Sequence, residues 1–338
     1  MKKFPIALVL LAALLAACSA ASPAPATPTP AATLAAGATL TPAAQPATQI
    51  PTPAPGKVLL VAPNPDSGTA AAVKASVSEL AGASNLLVDS LTSLTAADLT
   101  PEVRIVVLLA APDGLNDLLA AAPKTQFVAV GVPGLQAGPN LSVITQQPEQ
   151  AAFVAGFIAT IVSEDWRSAG LVPDSPASLQ DAFLNGGRYF CGRCIPIHGP
   201  IVAFPLAAAL PAGSSLNDWQ AAVVTLQTKI LETVYVDPTI SSPDLLKLLA
   251  DQKLVLVGGQ TPTDDLRPQW AATVTSDVLT PLNTLWPALL AGTGDKSVAA
   301  AVQVSDINAS LLTPGKQRLM QDVITGLQTG TIGPLSIQ

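Results

Sequence analysis

One histidine, His198, is the only imidazole in 338 residues, and three cysteines are the only thiols. Ser/His/Asp hydrolysis, Cys/His catalysis and most zinc hydrolysis would therefore have to run through His198. No G-x-S-x-G elbow accompanies it, and Walker A, G-x-G-x-x-G and H-E-x-x-H patterns are missing too. His198 reads as a loop residue. The chain is not read as an enzyme, and no catalytic residue, metal or cofactor is assigned. Basic residues are also scarce, with 16 Lys and Arg against 23 Asp and Glu, which argues against nucleic acid as a partner.

No charge at all lies between Lys3 and Lys57. Lys2 and Lys3 precede an apolar run from Phe4 to Ala17, broken only by Pro5, which is too short to span a bilayer but fits an export signal. It ends in Leu15-Ala16-Ala17-Cys18, a small-residue cleavage pattern with cysteine directly after it, which resembles a bacterial lipobox. The expectation is a signal peptide over 1–17 and a Cys18 carrying acyl chains such as palmitate. Two or three chains suffice for stable anchoring where one is marginal. From Ser22 to Gly56 the residues are almost wholly Pro, Ala and Thr, with nine prolines. Such a segment cannot build a core, so 18–56 is expected to be a semi-rigid stalk on the outer face of the cell membrane. Without Lys2 and Lys3 the mature chain has 14 basic and 23 acidic residues, a formal charge of −9.

The remaining cysteines stand in Cys191-Gly192-Arg193-Cys194. Outside the cytoplasm a local disulfide is their expected state. A redox CxxC would sit at a helix start after a strand, whereas this one precedes Pro196 and His198-Gly199-Pro200. Structural zinc would need four ligands, and there is no third free cysteine to add to His198.

The 282 residues from Lys57 to Gln338 alternate short apolar runs with helix-favouring stretches. Strands are expected at Lys57–Ala62, Asn85–Asp89, Val103–Ala110 and Gln126–Val132, then at Ala169–Pro173, Ile201–Phe204, Thr233–Val236, Leu254–Val257, Ala271–Thr275 and Val298–Val304. Ser242-Pro243, Thr280-Pro281 and Thr313-Pro314 mark helix starts with proline in the first turn. Alternating β and α units imply an α/β fold of two Rossmann-like lobes with parallel sheets, joined by a hinge. One lobe is expected to comprise 57–142 plus about 271–312, the other 143–270 plus about 313–338. Ligands of open α/β sheets sit beyond the carboxyl ends of the strands, so two facing lobes enclose a cleft.

Pro139-Asn140-Leu141-Ser142-Val143-Ile144-Thr145, followed by Pro148-Glu149-Gln150-Ala151-Ala152-Phe153-Val154-Ala155-Gly156, is similar to a stretch of the basic membrane lipoprotein or PnrA-like substrate-binding proteins. Asn185-Gly186-Gly187 resembles that family's Asn-Gly-Phe turn. Weaker likenesses run from Ala122-Pro123 through Gly213-Ser214, Val257-Gly258 and Thr275-Ser276 to Gly326–Gly330. The resemblance implies a type 1 periplasmic-binding-protein-like fold, a small solute such as a nucleoside, and an ABC transporter permease in the membrane as partner.

The departures from that family fall where a nucleoside would be held. The loop Asn64-Pro65-Asp66-Ser67-Gly68 lacks the family's stacking aromatic, and Asp237-Pro238-Thr239-Ile240-Ser241 replaces a Gly-rich turn. Gln260 stands where an aspartate would reach ribose, and Leu279 where a lysine is expected. The candidate cleft residues are Asn64, Asp66, Ser67, Asp113, Asp174, Asp237, Gln260 and Asp264. Asp66, Asp113 and Asp174 follow strands where helix N-caps are expected, and capping is the stronger reading of each. Trp166, Trp219 and Trp270 could be aromatic platforms or packing, and Tyr189 and Phe190 share that ambiguity. An envelope sensor or surface lipoprotein that keeps the fold without transport is the alternative function, and it would have a collapsed or unlined cleft.

Overall fold

A computed structural model describes residues 56–65 and 68–336. The expected signal peptide, Cys18, the stalk up to residue 55, Asp66 and Ser67 lie outside the described residues. Among the described residues no helix is long and apolar enough to cross a membrane.

Two six-stranded sheets carry the fold. The first contains β1 (Lys57–Val61), β2 (Leu87–Leu91), β3 (Val103–Leu108), β4 (Gln126–Val130), β5 (Leu141–Thr145) and β11 (Ser297–Ala299). Its order is β11-β5-β4-β3-β1-β2, and every pairing is parallel. The second contains β6 (Ser168–Pro173), β7 (Leu206–Leu210), β8 (Thr233–Val236), β9 (Val255–Gly258), β10 (Trp270–Asp277) and β12 (Ala301–Ser305). It runs β12-β10-β9-β8-β6-β7, parallel except for the antiparallel β12.

Both faces of each sheet are covered, which is why the strands read as unbroken apolar runs rather than alternating ones. In the first lobe, Val58, Leu60, Ile105 and Val107 pack under helices α1 (Gly68–Ala83) and α7 (Leu279–Leu290). Their strand neighbours Leu59, Val61, Val106 and Leu108 face α2 (Leu115–Ala121) on the other side. In the second lobe, Val172, Tyr235 and Val257 meet α3 (Pro148–Val162), α4 (Ser178–Cys191) and α8 (Pro314–Gln328), while Leu171, Val234 and Leu256 face α5 (Leu216–Gln227) and α6 (Pro243–Asp251).

The chain crosses between lobes three times: after β5 into α3, after β10 into α7, and at Ala300 between β11 and β12. The lobe boundaries therefore differ from those expected. β5 belongs to the first sheet because Leu141–Ile144 pair with Phe127–Val130, and β10 belongs to the second through its pairing with β9. The apolar run Val298–Val304, read as one strand, is divided at Ala300 between the two sheets. Residues 201–204 form no strand. The strand lies at Leu206–Leu210, an alanine-rich segment with little strand propensity of its own, and Phe204 makes only an isolated bridge to Cys194. The second strand starts at Leu87 rather than Asn85, because Asn85 adopts left-handed φ 55° where α1 ends.

The glycines singled out by resemblance serve a close helix crossing. A Cβ on Gly156 would collide with the carbonyl oxygen of Phe183, and one on Gly186 with that of Phe153, so α3 and α4 approach backbone to backbone. Asn185 is buried and donates its side-chain amide to the Pro334 carbonyl at 3.2 Å.

Candidate functional site

The strands of the two lobes end on a cleft of about 820 Å³. The first lobe supplies Gly68 to Ala72 at the start of α1, and the second supplies Pro238 after β8 and Gly259–Thr261 after β9. The crossing strands line its floor. Thr273 pairs with Ser305 and Thr275 with Gln303 across β10 and β12, and all four side chains border the cleft. Alternate residues of one strand share a face, so Thr273, Thr275 and Asp277 line the cleft together while Val274 is buried in the core behind them.

The chemistry of this lining is mostly that of hydroxyls and amides. Among the described residues Asp277 is its only carboxylate, and that group already caps α7, its Oδ1 accepting from the N–H groups of Leu279 at 3.2 Å and Thr280 at 3.1 Å. No lysine, arginine, histidine or aromatic ring among the described residues borders the cavity. Thr273 is committed internally, with its hydroxyl accepting from Trp270 Nε1 at 3.0 Å and donating to Asp306 Oδ2 at 2.8 Å. The side chains of Thr261, Thr275, Gln303 and Ser305 make no hydrogen bond within the described residues, nor does the side-chain amide of Gln260. They present hydroxyl and amide groups to whatever enters.

The predicted site residues scatter. Gln260 lines the cleft, and so does Leu279, the residue at the expected lysine position. Asn64 is exposed on the loop before α1 and does not border the cavity. Asp113 borders a separate hollow of about 470 Å³ on the first lobe with Ser93–Ala96 and Asp117. It does not cap α2, whose N-cap is Gly114 at φ 65°. Asp174 is exposed after β6 and does not cap α4, which starts after Ala177. Asp237 is buried and bound by its own turn, accepting from Thr239 N at 2.9 Å and Thr239 Oγ1 at 2.6 Å, with the Tyr235 hydroxyl at 3.4 Å. Asp264 faces solvent and pairs with Arg267 at 2.9 Å.

None of the proposed aromatic platforms reaches the cleft. Trp219 and Trp270 are buried in the second-lobe core, with Trp166 packed against the same cluster. Tyr189 and Phe190 pack their rings against Phe153 and Phe157 on the outer side of α3. Cys191 and Cys194 are joined by a disulfide, with Cα atoms 5.4 Å apart. Among the described residues no group of three or more His, Cys, Asp or Glu is placed to hold a metal ion.

A groove between β12 and α8, about 580 Å³, lies on the flank of one lobe only, whereas the cleft collects both lobes and the ends of their strands. The cleft is the site the topology builds.

No protein-family model and no curated protein sequence matches the chain. Solved structures do. An ABC transporter system solute-binding protein from Conexibacter woesei DSM 14684 superposes with a TM-score of 0.60 at 19% identity, covering 82% of this chain and 98% of that one. One from Aeropyrum pernix K1 gives 0.58 at 13% identity over 82% and 93%. The fold is periplasmic-binding-protein-like. A transcriptional activator of the comK gene from Bacillus halodurans superposes equally well, at 0.62 and 11% identity over 81% and 98%. A periplasmic-binding-protein-like fold thus accompanies regulation as well as transport, and function rests on the cleft.

Proposed function

We propose that this chain is a lipid-anchored, extracytoplasmic solute-binding protein that closes two lobes on a small neutral solute and presents it to an ABC importer permease. The observation that carries the reading is a cleft between the two lobes, walled by the start of α1 on the first and presenting the uncommitted hydroxyl and amide groups of Gln260, Thr261, Thr275, Gln303 and Ser305 on the second, spanned by three chain crossings. Two-lobed α/β molecules with such crossings close by a hinge. The solute class follows from the lining. With no ring to stack a base and no cation to hold an anionic group among the described lining residues, a polyol or sugar suits the site better than the nucleoside implied by the PnrA-like resemblance. An envelope sensor that had lost its ligand would have an unlined or collapsed cleft, and a cavity of about 820 Å³ favours the binding reading.

Thermal unfolding of the mature chain with a panel of pentoses, hexoses, polyols, nucleosides and amino acids tests this. A ligand present at 100 times its Kd adds about 2.7 kcal/mol to stability. A shift with a neutral polyhydroxylated solute is expected. A shift with nucleosides alone overturns the solute class, and no shift with any compound overturns transport.

A further inference from the structure

In a parallel sheet every helix-to-strand turn falls at the same end. In the second lobe the turns leading into β6, β7, β8 and β9 gather at the end opposite the cleft. Arg167, itself buried, ties three of them together. Its Nε donates to Asp165 Oδ2 at 3.1 Å, one terminal nitrogen to the Lys229 carbonyl at 2.9 Å and the other to the His198 carbonyl at 2.5 Å. Asp165 Oδ1 accepts from Ile197 N at 3.3 Å, while the Cys191–Cys194 disulfide and the Phe204 N–H to Cys194 carbonyl bond close the base of the loop.

This braced end displays isoleucine. Ile197 is 80% exposed, Ile201 63% and Ile230 55%, with Ile195 and Phe190 exposed beside them. A fixed cluster of exposed apolar side chains marks a contact surface. Arg193, Lys229 and Lys253 stand in the same turns and make no ion pair within the described residues. The same turns carry four carboxylates, of which Asp165 is paired with Arg167, Asp251 is in an exposed contact with Lys247, Glu232 accepts from Ser163 and the Asp165 N–H, and Glu164 is exposed. A chain that is acidic overall thus carries at this end as many cations as carboxylates, with isoleucines exposed among them.

We propose that this end of the second lobe is a membrane-contact surface, its isoleucines entering the interface of an anionic leaflet and its cations pairing with lipid phosphates. The inference rests on the anchored reading for bringing a bilayer within reach.

The test removes the anchor, so that failure of the anchor and failure of the surface are separable. The mature chain carrying Cys18→Ser is floated with vesicles of phosphatidylglycerol and phosphatidylethanolamine, and with phosphatidylcholine vesicles as comparison. Partition onto the anionic vesicles, weakened by salt, is expected. The pair Ile197→Ser and Ile201→Ser should lower it about tenfold, with the unfolding midpoint unchanged because both side chains already face solvent. Arg193→Glu with Lys253→Glu should lower it without touching the apolar surface. Absence of partition on every vesicle, or partition that neither pair of substitutions changes, overturns the proposal. So does self-association in buffer that the isoleucine substitutions abolish, since a second copy would then be the occupant.

Discussion

The backbone N–H of Ala300 donates to the carbonyl of Thr145 at 2.8 Å, so the third crossing between the lobes is bonded to the first. The N–H of Gln147, 3.4 Å from Ser276 Oγ, links the first crossing to the second. The hinge is a short bonded ribbon at the base of the cleft rather than three separate linkers. On the proposed binding role, ligand contacts on either lobe would act on the same few residues, so that a modest contact set could bias closure.

Gln303→Ala tests the cleft lining directly. The side chain is exposed, makes no hydrogen bond of its own within the described residues and borders the cavity on β12. Loss of one amide contact to solute should raise Kd by about tenfold, equivalent to about 1.4 kcal/mol. Titration calorimetry checks the affinity, and thermal unfolding without solute should be unchanged.

Gly156→Ala and Gly186→Ala should each destabilise the second lobe by about 1–3 kcal/mol or more, because the added methyl meets backbone rather than a movable side chain. Urea unfolding provides the comparison, with Gly82→Ala on exposed α1 surface as the control, since its Cβ would meet nothing within 4 Å.

Arg167→Lys should behave as a loss rather than a conservative change. A lysine cannot donate along three directions from one plane, so the carbonyls of Lys229 and His198 and the carboxylate of Asp165 would lose partners together. A cost of about 2–4 kcal/mol is expected, discounted for the partial exposure of Asp165. Hydrogen exchange should quicken at 195–201 and 228–231 more than elsewhere.

Tyr235 sets an alkaline limit. Burial, with the Asp237 carboxylate adding to it, pushes its phenol well above an ordinary tyrosine value. In the unfolded chain the phenol loses its proton near pH 10, while the folded one keeps it. The folded state then binds more protons, and stability falls as pH rises past about 10. Tyr235→Phe should flatten this fall at a cost of at most about 1 kcal/mol at neutral pH. Urea unfolding at pH 8 to 11 measures both.

Much of this architecture is legible in sequence. Apolar runs such as Gln126–Val132 and Thr233–Val236 are long enough, and bounded clearly enough by Pro133-Gly134 and Pro238, to reveal their strands, the first of which ends two residues early at Val130. The lobe boundaries were not legible, because strands buried on both faces look alike whichever sheet they join. Only pairing assigns Leu141–Thr145 to the first sheet and Trp270–Asp277 to the second. The site was read largely from charge. Carboxylates after strands attract notice, yet Asp237 holds its own turn and Asp264 an arginine. The residues that line the cleft are hydroxyls and amides in Thr273-Val274-Thr275 and Gln303-Val304-Ser305. Their polar-apolar alternation was the available signal, and it marks a strand with one face turned to a polar space.

Hydrogen exchange of the chain from residue 18 onward, with and without the solute that raises its unfolding midpoint, tests the central claim most directly. Two-lobed closure predicts that solute slows exchange together at 68–72 in the first lobe and at 259–261, 273–278 and 303–305 on the second lobe and crossings. Protection confined to one lobe, or to the groove between β12 and α8, would contradict it.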